Sequence, residues 1–251
     1  MTKSTERFTS RVANYVRYRP HYPISIIRCL ESECALTPNS IVADVGSGTG
    51  ILSELFLANG NQVFGVEPNG AMREAAEQLL ASQSNFASSD GTAEATGLPN
   101  ASVDFVIAGQ AFHWFDAQGA HKEFARILKP TGSVVLVWNE RSASATPFDA
   151  AYEKLLETFA VGYAIVNHRS IDADTLREFF TKGLTVRTFD NKQQFDFDGL
   201  KGRLLSSSYA PETGHPQHDA MIRELRALFD AYETNGQVTI HYDTNVYFGH
   251  L

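Results

Sequence analysis

The sequence predicts an α/β protein built on a doubly wound, mostly parallel sheet. Between residues 40 and 139, short apolar runs alternate with stretches whose apolar residues recur three or four positions apart. This alternation is typical of strands joined by crossover helices. The first apolar run, SIVADV at 40–45, leads directly into the glycine-rich sequence GSGTG. Open parallel sheets bind ligands at the carboxyl ends of their strands, so we expect a ligand crevice beside this turn.

The core elements follow one another in a regular order. Each predicted strand is a short apolar run, and each predicted helix has one apolar face. Gly60 and Pro130 end two of the helices, because neither residue continues a helix well. Strands are expected at 40–45, 62–67, 85–90, 103–109 and 132–139, and helices at 49–60, 70–82 and 117–130.

Mainly helical segments flank this core. A helix over residues 6–18 stops before Pro20, and Pro23 opens a second helix, since proline suits a first helical turn. Beyond residue 142 we expect helices at 147–161, 172–181, 198–208 and 216–233. The organisation is therefore an N-terminal helical cap at 1–39, an α/β core at 40–142, a helical insertion or lid at 143–236 with one further strand near 184–190, and a final strand at 237–251 that returns to the sheet.

Composition limits the classes of partner. The chain has 251 residues and a formal charge of −8, which argues against a nucleic-acid surface. Its longest apolar runs are too short to cross a bilayer, and the N-terminus lacks the apolar stretch of a secretory signal. The two cysteines form no CxxC motif. We therefore expect a cytoplasmic protein, monomeric or homodimeric, with neither a disulfide framework nor a metal site and with no membrane partner.

The charge is unevenly distributed along the chain. Residues 1–28 contain six basic residues and one acidic residue, so this segment carries +5 on a protein of −8. Guanidinium groups pair well with carboxylates. The segment therefore favours an anionic small molecule as its partner, although the same arginines could bind another carboxylate in the crevice or balance the acidic core. The basic residues are Lys3, Arg7, Arg11, Arg17, Arg19 and Arg28.

The glycine pattern excludes two common nucleotide sites. A P-loop requires a lysine directly after its last glycine, and here Ile51 follows Gly50. The dinucleotide fingerprint GxGxxG would also place a glycine at position 51. Asp44, two residues before the first glycine, suits a ligand with a cationic amino-acid end. Glu67, at the end of the second strand, suits the two hydroxyls of a ribose. A turn that merely joins strand to helix is the structural alternative.

Four motifs together resemble the class I S-adenosylmethionine-dependent methyltransferases. They are VADVGSGTG, VEPNGAM, GTAEATGLPNASVDFV and LKPTGSVVLVW, and their order and spacing match that family across residues 40–139. The segments ANYVRYRPHYP, GQAFHWFD, VWNER and YDTNVYFG resemble the small-molecule branch, methyltransferase type 11, which includes trans-aconitate methyltransferase-like proteins. The resemblance implies a Rossmann-like sheet and S-adenosyl-L-methionine as the cofactor.

The resemblance also implies a cofactor site. The glycine loop would pass close to the methionine part, Glu67 would hold the ribose, and the residues that follow it would pack against the adenosine. Thr92 stands where relatives often have an aspartate, although its hydroxyl could still accept a bond from the adenine amino group. Met72 could instead be a core residue, and Thr92 a turn cap. The implied cofactor residues are Asp44, Gly46, Ser47, Gly48, Thr49, Gly50, Glu67, Pro68, Asn69, Met72, Thr92, Ala93 and Gln110.

The candidate acceptor-binding residues come from the α/β core and from the N-terminal cap. Methyl transfer from a sulfonium is an in-line displacement, so alignment can provide much of the rate and a carboxylate acceptor needs no base. His113 is either a general base or, with Trp114, an aromatic wall. Arg141 either binds an acid or is a surface charge. From the cap, we expect Tyr15, Arg19 and Tyr22 to reach the acceptor.

The sequence thus predicts an enzyme that methylates a small molecule at oxygen, with a carboxylate favoured. Two alternatives stay open: a methyltransferase acting on a protein side chain, and a non-catalytic regulatory protein that binds S-adenosylmethionine. An NAD oxidoreductase is a more distant possibility, because dehydrogenases also place an acid at the end of the second strand.

Overall fold

A computed structural model describes residues 16–161, 173–207 and 209–251 of the chain. Seven strands form a single sheet within these residues. They are β1 Ile41–Val45, β2 Gln62–Val66, β3 Phe86–Ser89, β4 Val103–Gly109, β5 Leu128–Arg141, β6 Leu184–Phe195 and β7 Val238–Gly249. The helices are α1 Ser25–Cys34, α2 Ile51–Ala58, α3 Gly70–Leu79, α4 Ala117–Ile127, α5 Pro147–Phe159, α6 Ala173–Phe179, α7 Phe197–Leu205 and α8 His218–Tyr232, and a 3₁₀ turn covers Phe112–Trp114.

The sheet has the strand order β3-β2-β1-β4-β5-β7-β6. Strands β1 to β5 pair in parallel, whereas β7 is inserted antiparallel between β5 and β6. The order reverses at β1, where β2 and β4 lie on opposite sides of that strand. This confirms the predicted doubly wound, mostly parallel α/β fold, and it places a topological switch point at the end of β1.

Both faces of the sheet are buried, which explains why its strands are apolar throughout. On one face Val42 packs with α1 and α2, including Leu30 and Phe56. On the other face Ala43 packs in a cluster that includes Phe124 of α4. Adjacent strand residues therefore point into different hydrophobic clusters, and a polar residue in this region requires a specific partner.

The segment after residue 142 builds a third hydrophobic cluster. Helices α5, α7 and α8 contribute Leu156, Leu204 and Met221, and β7 contributes Tyr242. Strand β6 continues to Phe195, five residues beyond the expected stretch at 184–190, because it pairs with β7 along its whole length. The long β6–β7 pair thus connects the core sheet to the helices of the insertion.

The end of the N-terminal segment is bound to this insertion. Residues 16–18 are helical and the helix ends before Pro20, as the sequence predicts. The backbone oxygen of Tyr18 accepts a hydrogen bond from Gln193 Nε2 at 3.2 Å, and that of His21 accepts one from Asn191 Nδ2 at 2.7 Å. Most of the predicted helix at 6–18, and Tyr15 with it, lies outside the described residues.

None of the helices in the described ranges combines the length and the apolar character that a membrane crossing requires.

Replacing Gly202 in α7 should release the N-terminal segment. A Cβ at this position would overlap the ring of Tyr18. Gly202→Ala is therefore expected to displace Tyr18, although alanine normally stabilises a helix interior. We expect faster tryptic cleavage after Arg17, measured by mass spectrometry of timed digests.

Gly70→Ala is the matched control, because a Cβ at Gly70 would come no closer than 4.0 Å to any neighbour outside its own helix backbone. Equal digestion of both variants at Arg17 would contradict the packing of Tyr18 against α7.

Candidate functional site

The loop after β1 turns sharply beneath the end of β2. The amides of Gly46 and Ser47 both donate to the backbone oxygen of Val66, at 2.8 and 3.2 Å. Gly46 has φ +70°, and a Cβ there would lie 2.7 Å from the Cβ of Ala111. Glycine is therefore required both for the backbone conformation and for the close approach. The loop leads into α2 at Ile51.

Glu67 holds this loop in place from the end of β2. Its Oε2 accepts the amide of Gly48 at 2.9 Å and its Oε1 accepts the amide of Asn69 at 2.8 Å. Burial raises the pKa of Glu67, and the two amide donors oppose that shift. Each carboxylate oxygen has a second lone pair, so Glu67 can accept two further bonds from a ligand diol.

A wide cavity of about 980 Å³ opens beside Glu67. The cavity brings together nine of the predicted cofactor residues and adds Glu94, Gly109, Ala111 and Phe115, and Trp114, predicted on the acceptor side, also lines it. The nine are Gly46, Gly48, Glu67, Pro68, Asn69, Met72, Thr92, Ala93 and Gln110. Met72 is thus both a buried residue and a cavity wall, which are the two roles that the sequence leaves open.

A narrow cavity of about 520 Å³ lies on the other side of the glycine loop. The N-terminal segment, the loop and the insertion all contribute to its walls. The lining residues are Arg19, Pro20, Tyr22, Asp44, Gly46, Ser47, Gly48, Thr49, Ile51, Leu52, Gly109, Gln110, Asn139 and Arg203. Gly50 is absent from this set, because its position faces the side chain of Leu80.

The two cavities meet at the end of β4. Gly46, Gly48, Gly109 and Gln110 line both of them. Gln110 has φ +55°, a conformation that is uncommon for a residue with a side chain and is often found at functional sites. Its Nε2 donates to the backbone oxygen of Asn139 at 2.9 Å, which holds the side chain across the junction. A single ligand can therefore extend from one cavity into the other.

Asp44 is a fully buried carboxyl at the base of the narrow cavity. Its Oδ2 accepts the hydroxyl of Ser53 at 2.6 Å, while its Oδ1 has no hydrogen-bond partner in the part of the chain that the structure describes. Burial raises the pKa of Asp44 to about 7, with Ser53 opposing and Glu67 adding to the shift. A cationic group that reached Oδ1 would stabilise the ionised form.

The aromatic turn after β4 sends its three side chains in different directions, since residues in a 3₁₀ turn are about a third of a rotation apart. Phe112 enters the core. Trp114 lines the wide cavity, and so lies with the predicted adenosine residues rather than on the expected acceptor side. His113 lines neither cavity, and its ring lies 4.7 Å from that of Trp114.

The cap residues and Arg141 are placed differently. Arg19 and Tyr22 line the narrow cavity, and a Cβ on Gly109 would come within 2.6 Å of the Tyr22 hydroxyl. Arg141 lines neither cavity. Its Nε contacts Glu153 Oε2 at 3.3 Å and its Nη1 donates to the Tyr209 hydroxyl at 3.0 Å. The pairing with an internal carboxylate explains why Arg141 does not face the crevice.

Sequence analysis missed Arg203, which also lines the narrow cavity. Within the stretch GRLLSSSY it has the pattern of a basic residue on the exposed side of a helix, yet only 4% of Arg203 is exposed. No periodic signal identifies it, because its burial arises from strand β7, which lies far away in sequence.

Within the described ranges, no group of three or more histidine, cysteine or acidic side chains is placed to hold a metal ion.

Comparisons with known proteins agree with this geometry. Residues 43–136 match a family model described as a methyltransferase domain. An uncharacterized methyltransferase-like protein of Schizosaccharomyces pombe is 34% identical over 150 residues, which is 59% of this chain and 57% of that protein. A Dictyostelium discoideum protein with the provisional name methyltransferase is 29% identical over 240 residues, 93% of this chain and 89% of the relative.

A solved structure from Anaeromyxobacter dehalogenans, provisionally named a type II methyltransferase, has the same fold. Its TM-score is 0.69 at 23% identity, and the match covers 93% of this chain and 98% of that chain. The chain spans between 52% and 59% of the length of the curated relatives that it matches at 34% to 39% identity.

The buried carboxyl of Asp44 should make folding stability depend on pH. An aspartate has a pKa near 3.9 when unfolded, and in the folded protein that of Asp44 is about 7. Between these values the folded state binds the extra proton, so the free energy of unfolding should fall as pH rises from about 4 to about 7. Over this range the free energy of unfolding should fall by an amount on the order of 4 kcal/mol. At higher pH the contribution of Asp44 should no longer change.

Urea unfolding of the wild type and of Asp44→Asn across this pH range measures the effect, because titrating groups that do not interact with Asp44 cancel in the difference. Asp198→Asn, on the exposed surface, controls for the loss of one charge. A difference between wild type and Asp44→Asn that does not change with pH would show that the carboxyl ionises normally.

Proposed function

We propose that this chain, which carries a class I S-adenosylmethionine-dependent methyltransferase domain, transfers a methyl group from S-adenosylmethionine to a small anionic molecule. The family expected from the glycine loop and its companion motifs is confirmed by the domain match and by the relatives. The acceptor and its chemistry are the parts that we propose from the site.

The observation that carries the proposal is one crevice with an acid near each end. Glu67 lines the wide cavity with two lone pairs available for a ribose diol, and Asp44 lines the narrow cavity with an unpartnered oxygen among the described residues. The cofactor has a matching form, since a ribose and an α-ammonium group lie on either side of its sulfur. These residues fit S-adenosylmethionine, and the wide cavity is apolar enough for adenine between Met72 and Trp114.

The bound cofactor supplies a methyl group on a positively charged sulfur, and the protein has to align the acceptor with it. The junction at Gly109 and Gln110 is the part of the crevice that both cavities share. The hydrogen bond to the Asn139 backbone fixes Gln110 there. A fixed wall at this point limits motions that would move the acceptor out of line with the methyl group. Because the reaction is an in-line displacement, this alignment increases its rate.

A small acceptor is supported by the limited space around the junction. Within residues 18–22, the backbone oxygens of Tyr18 and His21 accept hydrogen bonds from side chains of the insertion. The described part of the cap also lines the narrow cavity, so it lies beside the crevice. We propose that residues 1–39 form a cap on the 40–142 core and that the 143–236 segment completes the enclosure. Such an enclosure excludes water from the reacting groups.

An anionic acceptor is supported by the arginines of the narrow cavity. Arg19 and Arg203 both line it, within a protein of net charge −8. A carboxylate that is methylated at oxygen has no proton to lose, so this acceptor agrees with the placement of His113 outside both cavities. We propose that His113 supports the Trp114 ring as a wall residue and does not act as a base.

Glu67→Ala should weaken cofactor binding. The loss of hydrogen bonds to a charged acceptor should cost roughly 1.5–3 kcal/mol of binding free energy. Isothermal calorimetry with S-adenosylmethionine measures it, and NAD serves as the ligand that should give no heat. Glu74→Ala, an exposed acid on α3, is the matched control. Equal affinity of the wild type and both variants for S-adenosylmethionine would show that Glu67 does not bind the cofactor.

His113→Phe should reduce turnover by less than about tenfold. A general base normally contributes a hundredfold or more, whereas phenylalanine preserves an aromatic contact with Trp114. Transfer of labelled methyl from S-adenosylmethionine to a panel of small carboxylic acids, phenols, amines and a peptide library measures this. A loss above a hundredfold would make His113 a base. Label in no acceptor, despite tight cofactor binding, would favour a regulatory protein over an enzyme.

A further inference from the structure

Arg203 is a buried cation at the wall of the narrow cavity. It lies on α7 and only 4% of it is exposed. Arginine stays protonated in proteins, and a buried charge is stable only with partners. Within the described ranges no aspartate or glutamate contacts its guanidinium. The hydrogen bonds of Arg203 go to neutral hydroxyls instead: Nε donates to Tyr242 at 3.1 Å and Nη1 donates to Ser207 at 3.1 Å.

These hydroxyls fix the guanidinium rather than neutralise it. The Tyr242 hydroxyl itself donates to Gln193 Oε1 at 2.9 Å, so its lone pairs are directed towards Arg203. Ser206 is bound to the α7 backbone through its own hydroxyl, at 2.7 Å from the Arg203 carbonyl oxygen. Nε and Nη1 are thus held on the protein side, with a longer contact of 3.4 Å from Nη1 to the Ser206 hydroxyl, while Nη2 makes no hydrogen bond among the described residues. The two N–H groups of Nη2 are left for a ligand.

A second guanidinium stands at the same cavity. Arg19 lines it from the N-terminal segment, where its Nη2 donates to the backbone oxygen of Ser206 at 3.1 Å. The two arginines therefore meet at one residue of the turn after α7. Two guanidinium groups at one small cavity supply N–H donors to the same space, which is an arrangement that suits an anion. Asp44 lies at the base of the same cavity with its unpartnered Oδ1.

We propose that Arg203, together with Arg19, binds a carboxylate in the narrow cavity. This inference rests on the proposed function, and two carboxylates can supply the chemistry: the amino-acid end of S-adenosylmethionine and the acid group of the acceptor. A carboxylate accepts charge-assisted hydrogen bonds from guanidinium N–H groups, and these are stronger than hydrogen bonds between neutral partners. With Asp44 opposite, the cavity presents both signs of charge, which suits an α-amino acid.

The test compares two ligands that differ only in the amino-acid end. S-adenosylhomocysteine carries the ammonium and carboxylate, and 5′-methylthioadenosine lacks both. Calorimetry with the wild type, Arg203→Met and Arg203→Lys gives their affinities. If the cofactor is the source, Arg203→Met should bind S-adenosylhomocysteine about tenfold to a hundredfold more weakly, and the lysine variant should lie between. Affinity for 5′-methylthioadenosine should stay within about twofold, which also shows that the variant is folded.

A second arm identifies the acceptor as the source. Benzoate, succinate and tricarballylate are titrated into protein saturated with S-adenosylhomocysteine. Loss of acid binding in Arg203→Met, with unchanged affinity for both nucleosides, assigns the carboxylate to the acceptor. Arg187→Met is the matched control, since Arg187 is paired with Glu33 at 2.8 Å on the exposed surface. If Arg203→Met does not fold, Arg19→Met carries the same comparison.

An Arg203→Met variant that binds both nucleosides and all three acids as the wild type does would overturn the inference. The inference also fails if the wild type binds S-adenosylhomocysteine but no acid, and the variant's affinity for S-adenosylhomocysteine is unchanged. In the first case the proposed function stands, because the cofactor product and the acids still bind. In the second case cofactor binding stands, and the anionic acceptor loses its support. A wild-type protein that binds no S-adenosylhomocysteine would overturn both proposals.

Discussion

The hydrogen bond from the Gly48 amide to the Glu67 carboxylate is the contact on which the site depends. It connects the ends of two neighbouring parallel strands, β1 and β2, whose last residues Val45 and Val66 are paired. The same carboxylate accepts the Asn69 amide and so fixes the start of α3 as well. A buried acid has to be hydrogen-bonded, and here the bonds that satisfy it also shape the loop that lines both cavities. One side chain thus determines the shape of the loop that lines both cavities.

Burying charged groups at the narrow cavity costs folding free energy, and the two charged groups come from separate parts of the fold. Asp44 comes from the central strand and Arg203 from the insertion, and the two groups form no ion pair with each other in the described structure. Ser53, Tyr242 and Ser207 supply only neutral partners. Charges kept apart and incompletely paired are a cost to folding that a ligand with complementary charges can offset. The incompletely paired charges of the site thus lower the folding stability of the protein, as is common at functional sites.

The walls of the crevice join segments that are far apart in sequence. The backbone oxygens of Tyr18 and His21 accept from side chains of β6, and Arg19 bonds to the turn after α7. These contacts exist because β6 is long enough to reach beyond the core sheet, which its pairing with β7 makes possible. The N-terminal segment and the insertion therefore both contribute to the wall of the narrow cavity.

The sequence by itself determined the fold class, the strand and helix order of the core and the position of the glycine loop. Those features are local, because the periodicity of strands and helices and a glycine turn between two acids can be recognised in short segments. Pro130 is an exception, since α4 already ends at Ile127 and Pro130 lies in β5. Tertiary structure alone decided which side chains face the crevice. Trp114 and His113 diverge because a 3₁₀ turn rotates them apart, and Arg141 turns away because Glu153 is within reach. Arg203 is buried by β7, which lies 35 residues further along the chain at its start, Val238. Contacts between distant segments depend on how the sheet brings them together, and no local pattern of residues encodes that.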